Sequence, residues 1–312
     1  MDNYNFFDEN KRKYKANLHS HSTRSDGLLN REEMVKAYRE QGYSILAFTD
    51  HELYTNTKVF DREDFIVLPG IERSITPDAY ETFHLLGIGD PRDDRLYAHD
   101  ERIPVPKFKD LSDVQTVIDE MKGRGNLVGL NHPYWSCSLM SNVLNLQGYD
   151  FLEVYNQNCD CGTGVGNSEV YWENLLWNQR IINAIATDDN HNSHRYNPGI
   201  TMWDSFGGWI MVEADELRRE SVFDALKSGK FYSSSGPVIH NYGIRNGKIY
   251  VTCQGCKTII FKCYPRRGYS VHADETLLTE AEYELRGGEE LVRIICIDEN
   301  GKKAWTNPLL LK

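Results

Sequence analysis

Eight short apolar segments recur along roughly the first 240 residues, and each ends in polar or ionisable side chains. Typical examples are YSILAFTDH at 43–51, NLVGLNHP at 126–133 and IINAIATDD at 181–189. Segments with helical spacing separate several of them, and the clearest lie at about 113–122, 168–178 and 220–227. Apolar strands that alternate with helices pair in parallel and are covered on both faces. The sequence therefore predicts an α/β fold in this part of the chain, with the polar strand ends converging as they do in α/β barrels.

The polar residues that follow or flank these segments are unusually rich in histidine. Six of the chain's ten histidines lie at or beside a predicted strand end. Gathering so many ionisable groups in one place is costly unless something compensates them. Imidazole and carboxylate without thiolate suit zinc, iron or manganese. Nine residues are the candidate ligands: His19, His21, Asp26, His51, Glu72, His84, His132, Asp189 and His191.

The segment ANLHSHSTRSDG at 16–27 gives the most local form of this signal. His19 and His21 are one residue apart at the end of an apolar run. Alternate residues of a strand point to the same face, so the two imidazoles would converge. The alternative is a pair of polar residues on a solvent-facing strand edge.

The motifs HSHSTRSDG, FTDHE, LPGIE, HLLGIG, NHP, EVYN and TDDNH resemble, in order and spacing, those of the PHP (polymerase and histidinol phosphatase) superfamily over residues 16 to about 240. The resemblance implies a distorted (β/α)7 barrel with two or three metals at the strand ends. Most known members hydrolyse phosphoesters. FYSSSGP and the β-rich tail also resemble a two-domain subgroup of predicted phosphoesterases.

The same resemblance implies how the ligands divide. His19, His21, Glu72 and Asp189 would hold one metal, and Asp26, His51 and His191 a second. His84 and His132 would hold a third, with Glu72 as a bridge to it. In some trinuclear members a histidine stands at the position of Asp26. In TDDNH the family pattern selects Asp189 over Asp188, because one residue separates the aspartate from His191.

Beyond about Phe231 the pattern changes to short strands with no helical spacing. Two Asn-Gly pairs, Asn246–Gly247 and Asn300–Gly301, lie between alternating strands, as in type I′ hairpins. The sequence predicts two domains: a PHP-type hydrolase domain at 1–235 and a small antiparallel β-sandwich at 236–312.

The predicted reaction is hydrolysis of a phosphoester by a hydroxide that bridges the metals, so no serine or cysteine nucleophile is needed. Arg73 and Arg195 are candidate phosphate contacts and His194 is a candidate general acid, although His194 could be a surface residue and Arg73 could form a salt bridge. The predicted substrate is a small phosphorylated metabolite or nucleotide. Two alternatives stay open: hydrolysis of a carboxylic ester, amide or carbamate, and a non-catalytic metal-binding regulatory domain.

Charge and apolar runs limit the partners. The chain carries 35 basic and 46 acidic residues, a net charge of −11, which argues against an extended nucleic-acid surface. A nucleotide or a short oligonucleotide is still possible as substrate. No run approaches the ~18 apolar residues of a membrane span, and the N-terminal segment lacks an apolar signal core. We therefore expect no membrane partner and a cytoplasmic protein.

Two smaller features have alternative explanations. Cys253-x-x-Cys256, with Cys263 and Cys296, could bind zinc, but the spacing does not repeat and cysteines in strands usually serve as small hydrophobes. Tyr134 and Trp135 follow His132 and could stack on a base or sugar.

Overall fold

A computed structural model of the chain describes residues 3–55, 57–76, 80–105, 108–192, 202–265 and 267–311. Its first fifteen elements are β1 (Tyr4–Asn5), β2 (Arg12–Asn17), α1 (Arg31–Glu40), β3 (Ile45–Phe48), β4 (Ile66–Ile75), β5 (Phe83–Gly89), α2 (Leu111–Gly123), β6 (Asn126–Leu130), α3 (Met140–Asn145), β7 (Phe151–Asn156), α4 (Gln157–Thr163), α5 (Glu169–Trp177), β8 (Asn183–Thr187), β9 (Trp209–Ala214) and α6 (Arg219–Lys227). Eight strands follow: β10 (Phe231–Ser234), β11 (Ile239–Arg245), β12 (Lys248–Cys256), β13 (Thr258–Tyr264), β14 (Arg267–His272), β15 (Leu278–Glu284), β16 (Leu291–Ile297) and β17 (Lys303–Thr306). A two-residue strand, β18 (Leu309–Leu310), is last, and one 3₁₀ turn spans Lys58–Phe60.

The helices predicted near 113–122, 168–178 and 220–227 are confirmed as α2, α5 and α6. α1 shows why such boundaries can be predicted. The side chain of Asn30 accepts from the backbone N–H of Glu33, and the carboxylate of Glu33 accepts from the N–H of Asn30. This reciprocal capping satisfies two N–H groups that a helix start otherwise leaves without partners.

Strand pairing is only partly parallel, so the prediction of a parallel sheet is wrong at three ladders. β2, β3 and β4 pair in parallel, as do β6, β7 and β8. β5 is antiparallel to both β4 and β6, and β9 is antiparallel to β2. The connection from β4 to β5, residues 76–82, is too short for a crossover helix, and a connection that short favours antiparallel pairing.

This reversal explains where two candidate ligands lie. The second half of β4 extends beyond β3 to pair with β5, so Glu72 lies inside a strand and not after one. β5 runs the opposite way, so His84, near its beginning, reaches the edge where the parallel strands end. An antiparallel strand brings its start to the same place as its neighbours' ends.

The two outer strands of the β2–β8 series approach each other at that edge. The backbone N–H of Asp189 donates to the carbonyl of His19 at 3.0 Å, and the N–H of His21 donates to the carbonyl of Asn190 at 3.0 Å. Ser20 and Asn190 form a single parallel bridge there. In the part of the chain that the structure describes, no longer ladder joins β2 to β8, and a closed barrel stays a prediction.

The C-terminal strands form two antiparallel sheets with one core between them. β1, β11, β12 and β15 make one sheet, while β14, β13, β16 and β17 continue the large sheet. Tyr242 and Val251 from the first sheet share a buried cluster with Phe261 and Ile294 from the second.

Both Asn-Gly pairs lie in hairpins, because β11 pairs with β12 and β16 with β17. The type I′ prediction fits the first pair, since Asn246 and Gly247 both have positive φ, but is wrong for the second, since Asn300 does not.

β10 links this region to the rest of the molecule. It pairs with β9 on one side and with β17 on the other, so one continuous β-sheet crosses the predicted boundary at 235/236. The division into domains at that point stays a prediction.

A buried group of charged and polar side chains, here called the junction cluster, joins α5 to the C-terminal strands. The guanidinium of Arg293 on β16 pairs with Glu169 at 3.1 Å and with Glu173 on α5. It also stacks on the ring of Trp172, with the guanidinium carbon 4.4 Å from the ring centroid. The cluster comprises Glu169, Glu173, Lys262, Tyr264, Arg293 and Lys303.

Among the described residues, no helix has both the length and the apolar character needed to cross a membrane. The cytoplasmic location stays a prediction.

Candidate metal centre

The nine predicted ligands surround one site at the edge where β2, β3, β6 and β8 end and β5 begins. They form three groups, and within each group the ligand atoms lie within 4.8 Å of one another. A cavity of about 520 Å³ opens above them. The described residues that line it are Asp26, His51, Glu72, His84, His132, Trp135, Asn158, Cys159, Asp189, His191 and Trp203.

The first group is His19, His21, Glu72 and Asp189, all buried. Nε2 of His19 lies 3.2 Å from Nε2 of His21 and 3.2 Å from Oδ1 of Asp189. Nε2 of His21 lies 3.0 Å from the same aspartate oxygen. The two oxygens of Glu72 approach these rings at 3.1 and 3.2 Å.

The second group joins Asp26 to three imidazoles. Its carboxylate oxygens lie 3.6 Å from His21 and from His51, and 3.5 Å from His191. A tight loop after β2 brings Asp26 back toward His21. A Cβ at Gly27 would stand 2.1 Å from the carbonyl oxygen of His21, so only glycine fits this return.

The third group consists of Glu72, His84 and His132. Oε1 of Glu72 lies 3.2 Å from Nδ1 of His84 and 3.4 Å from Nε2 of His132. The side-chain amide of Asn131 donates to the same oxygen at 2.7 Å. Glu72 therefore belongs to two groups and is the centre of the site.

The donor set fits divalent cations. Nδ1 of His19 lies 3.0 Å from the carboxylate of Glu153, which fixes the ring proton on that nitrogen and leaves a lone pair on Nε2. That lone pair faces the carboxylate oxygens of Glu72 and Asp189. Oδ1 of Asp189 is buried and has no hydrogen-bond donor. Lone pairs that face one another in a buried space repel unless a cation lies between them.

Outer partners orient the imidazoles, as they do around metal-bound histidines. Nδ1 of His132 lies 3.1 Å from the hydroxyl of Ser136. Nδ1 of His51 lies 3.1 Å from the hydroxyl of Ser74 and 3.2 Å from Oε2 of Glu72, so it faces both an outer partner and the site. Nδ1 of His191 donates to the backbone carbonyl of Asp189 at 2.8 Å. His19, His132 and His191 thus each have a partner outside the site that fixes which ring nitrogen faces the site.

Glu153, on β7, is an outer partner that is not among the residues predicted from the sequence. Besides holding His19, its carboxylate accepts the backbone N–H of His132 at 2.7 Å and the amide of Asn156 at 2.9 Å. The hydroxyl of Thr187 also donates to it. An acidic residue inside the otherwise apolar strand FLEVYN was the available signal.

Asp188 and Asp189 are adjacent but face opposite ways. Asp189 has a positive φ of 53° and faces the imidazoles. Asp188 accepts the backbone N–H groups of Phe206, Gly207 and Gly208, at 2.8–2.9 Å. Burial, partly opposed by these donors, raises the pKa of Asp188 to about 7. The left-handed backbone at Asp189 separates the two roles, and such strained residues concentrate at functional sites.

The crowding of ionisable groups shifts several pKa values in the site. Burial opposes ionisation of Glu72, yet the imidazoles of His19, His84 and His51 hold its pKa well below the ordinary value. Burial, together with the neighbouring His21, lowers the pKa of His51 to about 4. These two shifts favour the charge states in which the side chains bind metals: an ionised carboxylate and a neutral imidazole. Burial also opposes protonation of His21, but the carboxylates of Asp189 and Glu72 outweigh it and raise its pKa to about 10, so a metal bound there must displace a proton.

Of the three other predicted site residues, the structure describes only Arg73. Arg73 is buried, pairs with Glu52 and lies 3.5 Å from the hydroxyl of Tyr97, which favours the salt-bridge alternative. It does not line the cavity. His194 and Arg195 lie outside the described residues. Trp135 lines the cavity, whereas Tyr134 does not.

Comparison with known proteins gives one family. Residues 17–152 match the model of the PHP domain. The DNA polymerase/3′-5′ exonuclease PolX of Bacillus subtilis is 35% identical over 82 residues, a match that covers 20% of this chain. The match spans only 14% of that relative's length.

One solved structure is similar in fold, and a second aligns with a lower score. A two-domain protein from Bacteroides vulgatus, which contains a predicted PHP-like metal-dependent phosphoesterase, has a TM-score of 0.50 and 15% identity, and covers 96% of each chain. An amidohydrolase from Chromobacterium violaceum, solved with sulfate and no metal, has a TM-score of 0.43 and 15% identity. It covers 69% of this chain and 96% of its own.

Proposed function

Because this chain contains a PHP domain, we propose that it hydrolyses phosphate ester bonds with two or three divalent transition cations, zinc, manganese or iron. The observation that carries the proposal is the position of Glu72. Its two oxygens lie within 3.4 Å of five imidazoles, those of His19, His21, His51, His84 and His132.

Each group of residues would hold one cation. Glu72 bridges the first and third groups, and the two ring nitrogens of His21 face the first group and Asp26 of the second. When bound, divalent cations in such a cluster lower the pKa of a water molecule and neutralise charge on a phosphoryl group. The buried carboxylates and their outer partners keep the donors fixed while substrate binds.

The lining of the cavity limits the substrate. Its volume suits a small molecule, since ligand sites usually measure about 300–1,000 Å³. No lysine or arginine is found among the described residues that line it, so a phosphate group there would depend on the cations and imidazoles. Trp135 and Trp203 offer apolar surface for a planar group. We propose a small phosphorylated substrate with a planar part, such as a nucleotide.

Three finer points belong to the same proposal. His194 would donate a proton to the leaving oxygen and Arg195 would contact the phosphate, since both follow His191 closely in the chain. Strands β2–β8 would enclose the distorted seven-stranded barrel. The C-terminal sheets would form a β-sandwich that carries no ligand of the site.

The test is a panel of phosphomonoesters, phosphodiesters, aryl carboxylic esters and amides, assayed with manganese, zinc or iron. We expect turnover of a phosphate ester that disappears with a chelator and returns with metal. Glu72→Gln should abolish it, while Glu213→Gln, a buried carboxylate on β9 outside the site, should not. Turnover of only the carboxylic esters or amides would replace the phosphoesterase proposal, and metal binding without any turnover would favour a regulatory domain.

A further inference from the structure

Three cysteines in the C-terminal core lie together, far along the chain from the metal centre. The sulfurs of Cys253, Cys256 and Cys296 lie within 4.8 Å of one another and are at most 2% exposed. All three are free thiols. From this geometry we propose that they form a second metal site, which holds one thiophilic d¹⁰ cation, Zn²⁺ or Cu⁺, between the two C-terminal sheets.

The local backbone directs the first pair toward the same point. Residues three apart on a regular strand face opposite sides, so a regular β12 could not bury both Cys253 and Cys256 in one core. The register between β12 and β15 shifts between Thr252 and Cys256, which marks an irregularity in the strand. Such bulges redirect side chains and concentrate near functional sites.

Gly255 permits this distortion. A Cβ at that position would stand 3.0–3.1 Å from the side chain of Leu277, closer than most real contacts. The strand therefore accepts a residue without a side chain immediately before Cys256. Because of this bulge, the sulfurs of Cys253 and Cys256 in the Cys-x-x-Cys segment point to the same side of the strand.

Cys296 comes from the opposite sheet. It lies on β16, whereas Cys253 and Cys256 lie on β12, and these strands belong to different sheets. At the corner between them, the N–H of Lys257 donates to the carbonyl of Ile297 at 2.7 Å. This bond holds the end of β12 against the end of β16, and so keeps Cys256 beside Cys296.

The chemistry of the group suits a soft cation. Sulfur ligands select zinc and monovalent copper over hard cations. No histidine or carboxylate joins the three sulfurs in the part of the chain that the structure describes. Three thiolates complete the coordination of Cu⁺, whereas Zn²⁺ would take a fourth ligand such as a backbone carbonyl or water. The shared requirement is thiolate coordination, and the two ions can be separated by experiment.

The apolar surroundings explain why a cation matters. Separate thiolates are costly in this core unless a cation compensates them, so binding must release their protons. Cys263 belongs to the same apolar core but not to the group of three, and so serves as a matched control.

The experiment uses the full chain, reduced and freed of metal, and titrates it with Co²⁺ in place of zinc and, anaerobically, with Cu⁺. Thiolate-to-cobalt charge transfer reports sulfur ligands, which the nine residues of the other centre do not offer. Because Cys159 lines the cavity of that centre, Cys159→Ala is a second control and should leave the absorption unchanged. We expect about one equivalent of metal to produce this absorption. Cys296→Ala should remove it completely, and Cys263→Ala should leave it unchanged.

X-ray absorption of the wild-type protein keeps the test decisive if Cys296→Ala does not fold. Zinc or copper bound here should show sulfur neighbours, at about 2.3 Å for zinc. Sulfur scattering with Cu⁺ but not with Zn²⁺ would identify copper as the ion, and the reverse would identify zinc. Absence of sulfur ligation with both ions and with Co²⁺, or loss of the absorption in Cys263→Ala, would overturn the proposal.

Discussion

The metal centre and the junction cluster are both buried and ionisable, but they differ in the source of positive charge. In the junction cluster, Arg293, Lys262 and Lys303 supply cations to the carboxylates of Glu169 and Glu173. The nine residues of the metal centre include three carboxylates and six imidazoles, and neither lysine nor arginine. The first cluster is complete as a protein structure, whereas the second needs cations from outside or protonated histidines.

Because of this difference, the junction cluster is a stabilising contact, whereas the metal centre has groups that can react. A guanidinium matches carboxylates with a planar fork and cannot lose its charge, so the junction cluster is fixed. Imidazoles lose and gain protons near neutral pH, and their lone pairs bind metals. We therefore expect substitutions in the two clusters to have separable effects, on metal content and turnover in one case and on stability in the other.

Glu72→Gln should have the largest effect. The amide keeps the shape of the side chain but loses the charge and the second oxygen that bridging needs. We expect two metals to be lost together and turnover to fall by more than about 100-fold, beyond the 10–100-fold typical of outer partners. Elemental analysis and turnover measure this, with circular dichroism to check folding and Glu213→Gln as control. Full metal content at the wild-type rate would show that Glu72 is not a bridge.

Arg293→Met should chiefly destabilise. It leaves Glu173 buried without its guanidinium, and breaking one side of a buried pair costs about 3–5 kcal/mol. We expect the free energy of unfolding in denaturant to fall by that amount, with metal content per folded chain unchanged. Adding Glu173→Gln should recover part of the loss. Loss of metal in a folded Arg293→Met protein would contradict the separation of the two clusters.

Glu153→Gln tests an intermediate case, since Glu153 is a carboxylate that orients a ligand. The amide still occupies the space, but it no longer favours a proton on Nδ1 of His19. Metal affinity should fall by about 10–100-fold, with the fold intact. Competition against a chelator of known affinity measures this change. An unchanged affinity would mean that His19 keeps its orientation through packing alone.

His84→Ala should have the smallest effect on the site, because His84 belongs only to the third group. We expect one metal to be lost while the other two groups keep theirs, and turnover to fall less than in Glu72→Gln. Metal content and rate, measured on the same preparation, distinguish the outcomes. Simultaneous loss of all metals would mean that the three groups bind as one unit.

The sequence predicted the site well where the same residue type, histidine, recurs at the ends of successive strands. The histidines that follow β2, β3, β6 and β8 could be grouped because the ends of parallel strands share an edge. The reversed direction of β5 could not be foreseen, since the apolar run of His84 resembles the others. Asn131 and the serines that orient the imidazoles have no distinctive spacing, and their roles depend on contacts across the sheet.

The junction and cysteine clusters illustrate a different limit. Arg293 lies in the alternating strand LVRIICI, where an outward, solvated side chain is the simplest expectation. It is fully buried because α5 covers that face, a contact between segments more than 100 residues apart. Cys296 likewise meets Cys253 and Cys256 only through packing of two sheets. The spacing of residues along the chain does not predict such contacts.

The order of strands also has a consequence for protein synthesis. β2 lies between β3 and β9, so one edge of this early strand has no partner until residues 209–214 have been made. β1 waits longer still, for β11. An unpaired strand edge is a template for wrong association, and distant pairings form slowly. A nascent chain of this protein therefore exposes one edge of β2 until residues 209–214 have been made, and a chaperone that covers this edge would have most effect in that period.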